Sequence, residues 1–426
     1  MPPIEAVLVG AGERGRRVIG EFALSNPAVL RITAVAEPDE VRRDQFAEAH
    51  GIAPENRFAH YEELLSRPQI APLCFNTSMD RQHLPSALQA LEAGYDLFLE
   101  KPMAHTASAC LAIAETARRL GRMIQICHPL RFTPFYTRVR ALIESGALGR
   151  PITLTMVENI AHWHFAHSYV RGNWSQVETS GPMILTKCCH DMDLAAWLTG
   201  QSVRRVASFG SRSHFTEANA PEGAPERCTD GCPVESTCPH FAPAVYLTDN
   251  IGWPTSVISN DPSPEARRRA LETGPYGRCV FRAPNTAVDH QVVSAEFEDG
   301  TTLTFSARAF TAECFRTIRV LGTEGELNGH LERADLTVTR FTQGIANRQI
   351  AKKQEVGPVE GTHLGGDPAV IRHFLRCWRD RDLETLQRGL DIALEGHLLA
   401  FAAERARETG QVVDMETFRR EVSSQT

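Results

Sequence analysis

The sequence predicts an α/β protein in two parts. A doubly wound parallel sheet comes first, and a larger α+β domain with a mostly antiparallel sheet follows. Three observations carry that prediction. Apolar runs alternate with helical patterns over residues 1–127, as βαβ units require. Period-two alternation takes over after residue 128, and Asp299-Gly300 marks a hairpin turn between two of its runs. The length of 426 residues suits two domains.

Taken in order, Ala6–Val9 is an apolar run that glycines end at once, so it reads as a buried strand with a helix continuing over Val18–Ser25. Ile32–Ala36 is a second strand, and helices follow at Arg42–His50 and Tyr61–Ser66. Pro72–Asn76, Leu97–Leu99 and Met123–Cys127 are further strands. Between them lie helices at Leu84–Ala93, stopped by Gly94, and at Ala107–Leu120, stopped by Gly121. In the second part Phe135–Ser145 is a helix. Ile152–Glu158, Val203–Phe209, His290–Phe297 and Thr301–Ala309 alternate as half-buried strands. Arg316–Gly322 and Gly325–Leu331 extend that sheet, and Ala369–Arg379 and Leu383–Thr409 are helices. The expected domains are therefore 1–127 and 128–426, with a Pro-, Gly- and Cys-rich insertion lacking clear periodicity at about 210–288.

Composition narrows the function classes. Hydrophobic residues make up 42% and charged residues 23%, ordinary for a globular enzyme, and the net charge is −7. No basic surface for nucleic acid or an anionic membrane is expected. No run of about 18 apolar residues is present, so no membrane span is expected. The N-terminus does not have the pattern of a signal peptide. With eleven cysteines, an odd number, the expectation is a reducing, cytoplasmic setting.

Gly10-Ala11-Gly12-Glu13-Arg14-Gly15 follows the first strand and opens the first helix, and Glu37 ends the second strand 22 residues after Gly15. That is the full Rossmann dinucleotide fingerprint. Gly10 permits the tight turn, Gly12 lets the backbone approach a pyrophosphate, and Gly15 lets helix and strand pack closely. The helix N-terminus, with Glu13 and Arg14 in its first turn, presents unpaired N–H groups to the phosphates. Glu37 can accept from the adenosine ribose hydroxyls and repels a 2′-phosphate, so NAD is expected over NADP. Arg42 and Arg43, a few residues on, weigh against that preference.

Phe98-Leu99-Glu100-Lys101-Pro102 closes a strand with a charged pair at the edge where ligands bind in parallel sheets. Five features occur in order. They are the glycine turn, the acidic end of the second strand, Asn76-Thr77 with His83, Ala93-Gly94 before Glu100-Lys101-Pro102, and His190 with Asp193. In these the sequence resembles the glucose–fructose oxidoreductase / inositol dehydrogenase / MocA family. The resemblance implies hydride transfer between a sugar or cyclitol carbon and NAD(P). It implies Lys101 as the catalytic lysine, and Asn76, Thr77, His83 and Glu100 beside the cofactor. It also implies an oligomer formed through the exposed face of the second domain's sheet.

The family's usual string is Asp-x-Gly-x-His-x-x-Asp, its histidine serving as general base or acid. Here the string is Thr186-Lys187-Cys188-Cys189-His190-Asp191-Met192-Asp193. His190 and Asp193 keep the spacing, while Thr186 and Cys188 replace the Asp and the Gly. Lys187 is an added cation, either a solvated charge or a contact for an anionic substrate. His162-Trp163-His164-Phe165-Ala166-His167 and Arg171-Gly172-Asn173-Trp174 form an aromatic and cationic stretch. It is either an exposed loop with some core aromatics or a wall for a sugar, with His167, Arg171 and Trp174 as candidate contacts. Its histidine spacing fits no common zinc motif. Asp289-His290 and His363 with Gly365-Gly366-Asp367 are further pocket candidates.

Cys228-x3-Cys232-x5-Cys238 lies in the insertion, and Cys279 follows 41 residues after Cys238. These are either buried reduced cysteines or the ligands of a structural metal, zinc first and an iron–sulfur cluster second, with Cys279 preferred over His240 as fourth ligand. The expected activity is NAD-dependent oxidation or reduction of a small-molecule carbohydrate. Two alternatives stay open, a redox-neutral NAD-dependent glycosidase working on an anionic glycoside and a non-catalytic NAD-binding protein.

Overall fold

In a computed structural model, residues 2–343, 351–359 and 361–425 are described. Met1 and Thr426, the outer ends of the two expected domains, lie outside the described residues. Six strands form the first sheet: β1 (Ile4–Val9), β2 (Leu30–Ala36), β3 (Arg57–Phe58), β4 (Leu73–Asn76), β5 (Asp96–Leu99) and β6 (Ile124–Ile126). Their order is β3-β2-β1-β4-β5-β6 and every pairing is parallel. The strand order reverses between β1 and β4, so a crevice opens at the carboxyl ends of those strands, beside Gly10 and Thr77. Ala6, Val7, Leu8 and Phe75 are fully buried, as strands covered on both faces must be.

Among the described residues the second sheet has nine strands, three of them beyond the sequence-predicted set. They are β7 (Pro151–Ala161), β8 (Val203–Ser211), β9 (His290–Phe297), β10 (Thr302–Thr311), β11 (Phe315–Gly322), β12 (Gly325–His330), β13 (Asp335–Arg340), β14 (Lys352–Lys353) and β15 (Val413–Asp414). The order is β14-β13-β12-β11-β7-β10-β9-β8-β15. Among the described residues only β7 and β10 pair in parallel. The Asp299-Gly300 turn joins β9 to β10, with the Asp299 carboxylate accepting from Thr301 N at 2.9 Å. Alternation puts Val293, Ala295, Phe297, Leu303, Phe305 and Ala307 on the buried face. Each such large side chain contributes roughly 1.5–3 kcal/mol.

The helix Leu383–Thr409 runs through the middle of the molecule, packed against β6, β8 and the helices Ala107–Arg119 and Cys189–Thr199. Asp382 caps its start by accepting from Thr385 N at 3.0 Å, and Gly410 ends it in the left-handed conformation. A second late helix, Gly366–Asp380, covers the outer face of the first sheet. Its Val370, Ile371, Phe374 and Leu375 share one core with Leu8, Ile19 and Phe75. The chain therefore returns to the dinucleotide-type sheet after building the second one.

The insertion holds two short helices, Ala242–Tyr246 and Pro264–Thr273, and a small core of Cys228, Ala242, Tyr246, Leu271 and Tyr276. Its far loop reaches the first sheet, where Asn260 donates to Asp39 at 3.2 Å and accepts from Arg42 at 3.3 Å. No helix among the described residues is long and apolar enough to cross a membrane.

Candidate functional site

The glycine turn has the shape its sequence implies. Gly10 has φ +88°, and a Cβ on Gly15 would stand 2.0 Å from Gly10 O and 2.7 Å from Thr77 Oγ1. A Cβ on Gly12 would meet nothing within 4 Å, so that face of the turn is open to a ligand. Thr77 closes the turn from β4 by donating to Gly10 O at 2.6 Å. Glu37 accepts from Ala11 N at 2.7 Å and from Asp39 N at 3.0 Å, which leaves each carboxylate oxygen a further lone pair. Arg43 donates to Glu37 O, and Arg42 is engaged by Asn260 and Asp39. Glu13 lies at the surface and pairs with Arg17 at 3.2 Å.

Arg14 points away from the turn's open face into the molecule. It bonds Glu100 at 2.8 Å and both oxygens of Asp367 at 2.8 and 3.1 Å, so it joins the first sheet to the helix Gly366–Asp380. Against the burial that raises it, Arg14 and His363 hold the Asp367 carboxyl well below its usual range. Asn76 is tied to Ser86 at 2.7 Å and to Ser78 Oγ at 2.8 Å. His83 is fully buried, with one ring nitrogen 2.7 Å from Pro102 O and the other 3.0 Å from Ser78 O. It links the turn after β4 to the turn after β5 and presents no free nitrogen.

Lys101 follows β5 and reaches across to the second domain. Its Nζ donates to Thr186 O at 3.0 Å and lies 5.8 Å from the Trp174 ring centroid. Trp174 is itself fixed by Asp80, which accepts from its indole N–H at 2.7 Å. His190 and Asp193 sit three residues apart on the first turns of the helix Cys189–Thr199, on one face. His190 Nδ1 is 3.4 Å from His128 Nδ1, and the His363 ring lies 6.0 Å away. Burial, and after it the Lys101 ammonium, push the His190 imidazole well below its ordinary value, so it is neutral. Asp193 makes a two-pronged pair with Arg131, whose Nε is 2.6 Å from Oδ2, and its Oδ1 is 3.5 Å from His128 Nε2. Burial raises the Asp193 carboxyl to about 6 against the pull of Arg131.

A second charged cluster borders the pair. Lys187 is 3.4 Å from Glu158, and Arg316 on β11 is 3.0 Å from Glu158 and 2.9 Å from Asp191. Burial raises Glu158 to about 7, although Arg316 and Lys187 both pull it down. Lys187 is thus a paired, mostly buried cation rather than a solvated one.

The aromatic stretch is a helix, not an exposed loop. It runs as His162–Phe165 and widens into a π-helical turn over Ala166–Arg171. His167 bonds Tyr246 Oη at 2.8 Å and stacks on Tyr276, both in the insertion. Arg171 is buried and donates to Arg278 O at 2.7 Å and His240 O at 2.8 Å, so its guanidinium serves the insertion. Asp289 is likewise spent on the loop at Ser213 and His214. The cysteines Cys228, Cys232, Cys238 and Cys279 line one cavity within the insertion. Among the described residues, the three His, Cys, Asp or Glu ligand atoms within 4.8 Å of one another belong to His128, Cys189 and His190, so the four-cysteine set is the more open of the two.

Sequence reasoning did not find His128, Arg131, Glu158 or Arg316. His128 and Arg131 come from the turn after β6, Glu158 from β7 and Arg316 from β11, and none carries a local motif. Asp191 lies inside the recognised string, but its role depends on Arg316 125 residues away.

Comparison with known proteins agrees with this geometry. Residues 4–128 match an oxidoreductase family model described as an NAD-binding Rossmann fold. Residues 140–415 match the companion C-terminal alpha/beta domain. The oxidoreductase YteT of Bacillus subtilis is 24% identical over 358 residues, covering 80% of this chain and 81% of that one. An inositol 2-dehydrogenase of Streptomyces avermitilis is 29% identical over 218 residues, covering 51% of this chain and 58% of its own. In three dimensions, a levoglucosan dehydrogenase in complex with NADH and levoglucosan superposes with a TM-score of 0.71 at 17% identity, covering 97% of this chain and 99% of that one.

Proposed function

The chain belongs to the Gfo/Idh/MocA oxidoreductase family, and from that premise we propose that it moves hydride between a carbinol carbon of a sugar or sugar derivative and NAD. The observation that carries the reading is the neutral, buried His190 with the Lys101 ammonium acting on it, at the carboxyl end of an NAD-binding sheet. NAD fits the residues present. The open face at Gly12 suits the pyrophosphate, and Glu37 suits an unphosphorylated ribose. With Arg42 and Arg43 both engaged elsewhere, neither stands ready for a 2′-phosphate.

Bound NAD supplies the hydride acceptor. The chain's own groups handle the proton and the oxygen. His190 takes the hydroxyl proton, which a neutral imidazole can do and an imidazolium cannot. Lys101 keeps one hydrogen bond to Thr186 O and has further N–H donors for the substrate oxygen, where negative charge grows. Trp174, stacked on Tyr169 and lying against Lys101, positions that ammonium and is the aromatic side chain nearest it for a sugar ring to meet at its edge. Lys187 and Arg316 are already paired with Glu158 and Asp191, so Lys101 is the cation that would meet an acidic substituent on the substrate.

A second reading is redox-neutral glycoside cleavage, in which the sugar is oxidised, loses its aglycone by elimination and is reduced again. It would use the same Lys101 and His190, with Glu158, a buried carboxyl that burial pushes up against the pull of Arg316 and Lys187, as the base for the carbon-bound proton. The intact Lys101 and His190 weigh against a non-catalytic NAD-binding protein. The eleven cysteines without disulfides favour a reducing, cytoplasmic setting. Phe209 and Val292, exposed partners on β8 and β9, favour a homo-oligomer through the outer face of the second sheet.

The test is incubation with free sugars and aryl glycosides, neutral and anionic, at substoichiometric and excess NAD⁺. NADH absorbance and aglycone release are followed together. NADH rising with a free sugar establishes a dehydrogenase. Many aglycones released per NAD⁺ without net NADH establish the glycosidase. No turnover across the panel, with NAD bound, would remove both readings.

A further inference from the structure

We propose that the insertion is a metal-folded subdomain, in which Cys228, Cys232, Cys238 and Cys279 hold a single zinc ion beside Arg171. The backbone brings the four sulfurs to one place from two stretches of chain. Arg227 and Arg278 form an antiparallel bridge, with Cys228 N donating to Gly277 O and Cys279 N to Glu226 O, each at 2.9 Å. Cys228 and Cys279 each follow a bridge residue, so both side chains leave the same face of that ladder as diagonal neighbours. Successive turns return the other two. Glu235 N bonds Cys232 O at 3.2 Å, and Cys238 N bonds Val234 O at 2.9 Å. All four line one cavity of about 10 Å³, the space of a single water-sized sphere, which suits one ion.

Two further observations point to a ligand there. His240, also on the cavity wall, is buried, and its Nδ1 has no hydrogen-bond partner among the described residues. Arg171 is buried and its Nη2 donates to Cys228 Sγ at 3.5 Å, so a cation rests against one of the four sulfurs. The insertion's own core is five residues, of which Cys228 is one, while Phe215, Val280 and Cys279 pack into the main core of the molecule. The cysteines are open, without three Sγ atoms inside 4.8 Å, and a bound ion would draw them to the roughly 3.8 Å spacing that tetrahedral bonds of about 2.3 Å impose. Zinc here would hold the wall that carries Tyr246 and Tyr276 against His167. Its role is therefore structural, since four thiolates leave no open position for substrate.

The full-length chain, expressed in zinc- and iron-replete cells, is dialysed and its metals measured. About one zinc per chain is expected, and Cys232→Ser with Cys279→Ser should reduce it to near zero. NAD binding reports whether that variant folds. Should it not fold, the wild-type chain answers alone. Mercurial titration of its thiols should release the zinc, and exchange with Co²⁺ should give intense near-ultraviolet thiolate-to-cobalt absorption. Zinc retained by the double variant would overturn the ligand assignment. Iron with acid-labile sulfide would overturn the single ion. A chain that holds no metal and takes up none from added Zn²⁺ would overturn the site.

Discussion

His190 Nδ1 and His128 Nδ1 lie 3.4 Å apart, and two neutral rings meeting there share one proton. The far nitrogen of His128 faces the Asp193 carboxylate at 3.5 Å, which favours a hydrogen on that nitrogen. His128 Nδ1 is then an acceptor, His190 Nδ1 the donor, and His190 Nε2 the lone pair left for a substrate hydroxyl. Under the proposed mechanism His190→Ala and Lys101→Ala should each lower kcat by about 10²–10⁴ while NAD still binds. His128→Phe should lower kcat by about tenfold to a hundredfold, because the base remains and only its tautomer loses support. Stopped-flow NADH formation with a cognate sugar separates the three, and full activity in both alanine variants would remove the assignment. At the glycine turn the expected effect is on binding. Gly15→Ala puts a methyl 2.0 Å from Gly10 O, so the turn must open, and NAD affinity should fall at least tenfold by fluorescence titration.

The helix Cys189–Thr199 is set in place by two buried ion pairs, Arg131–Asp193 and Arg316–Asp191. Removing one partner strands the other charge in the interior. Asp193→Ala should therefore cost about 3–5 kcal/mol in urea unfolding. Arg131→Met with Asp193→Leu should recover much of that stability without recovering turnover, because the pair orients His128 as well as filling space. If the double variant regains activity, Asp193 has only a packing role. The string around His190 was legible in the sequence, but the pairs that hold it were not, since Arg131 and Arg316 lie on other elements and obey no local spacing rule. The same contrast runs through the fold. The six-strand sheet was readable from apolar runs and glycines, except β3, whose two residues carry no periodicity. The helix over His162–Arg171 was missed because it is packed between the second sheet and the insertion, with His167, Ser168, Tyr169 and Arg171 all buried. A helix wrapped on every side shows no polar face to mark its period. Pro264–Thr273 did carry a start signal, Ser263 before a proline, and Ser263 caps it at 3.3 Å. That signal was hidden in a segment otherwise rich in turn residues.

Across the whole molecule, burial of uncharged imidazoles sets how stability depends on pH. His128, His164 and His190 are held well below their ordinary value, and His167 and His397 are lowered to about 4, in every case first by burial. Unfolded, each titrates near 6.5. As pH falls below about 6.5, the unfolded chain takes up protons that the folded chain refuses, so stability is lost from there down to about 4. Two carboxyls act in the opposite sense. Glu158, at about 7, and Asp193, at about 6, are protonated in the folded state while their unfolded counterparts are still ionised, so each adds stability as pH falls. Each group contributes at most ~1.4 kcal/mol per pH unit. The imidazoles outnumber the carboxyls, so the balance is destabilising and reaches several kcal/mol over two units. Thermal unfolding followed by circular dichroism should show a lower Tm at pH 5 than at pH 7.5. His397→Gln, on the central helix with its ring 5.3 Å from that of His128, should make that fall shallower. A Tm that holds or rises on acidification would mean that the carboxyls dominate and that the imidazoles titrate in the folded chain. His190 would then be charged at mildly acidic pH, and the proposed base would be lost with it.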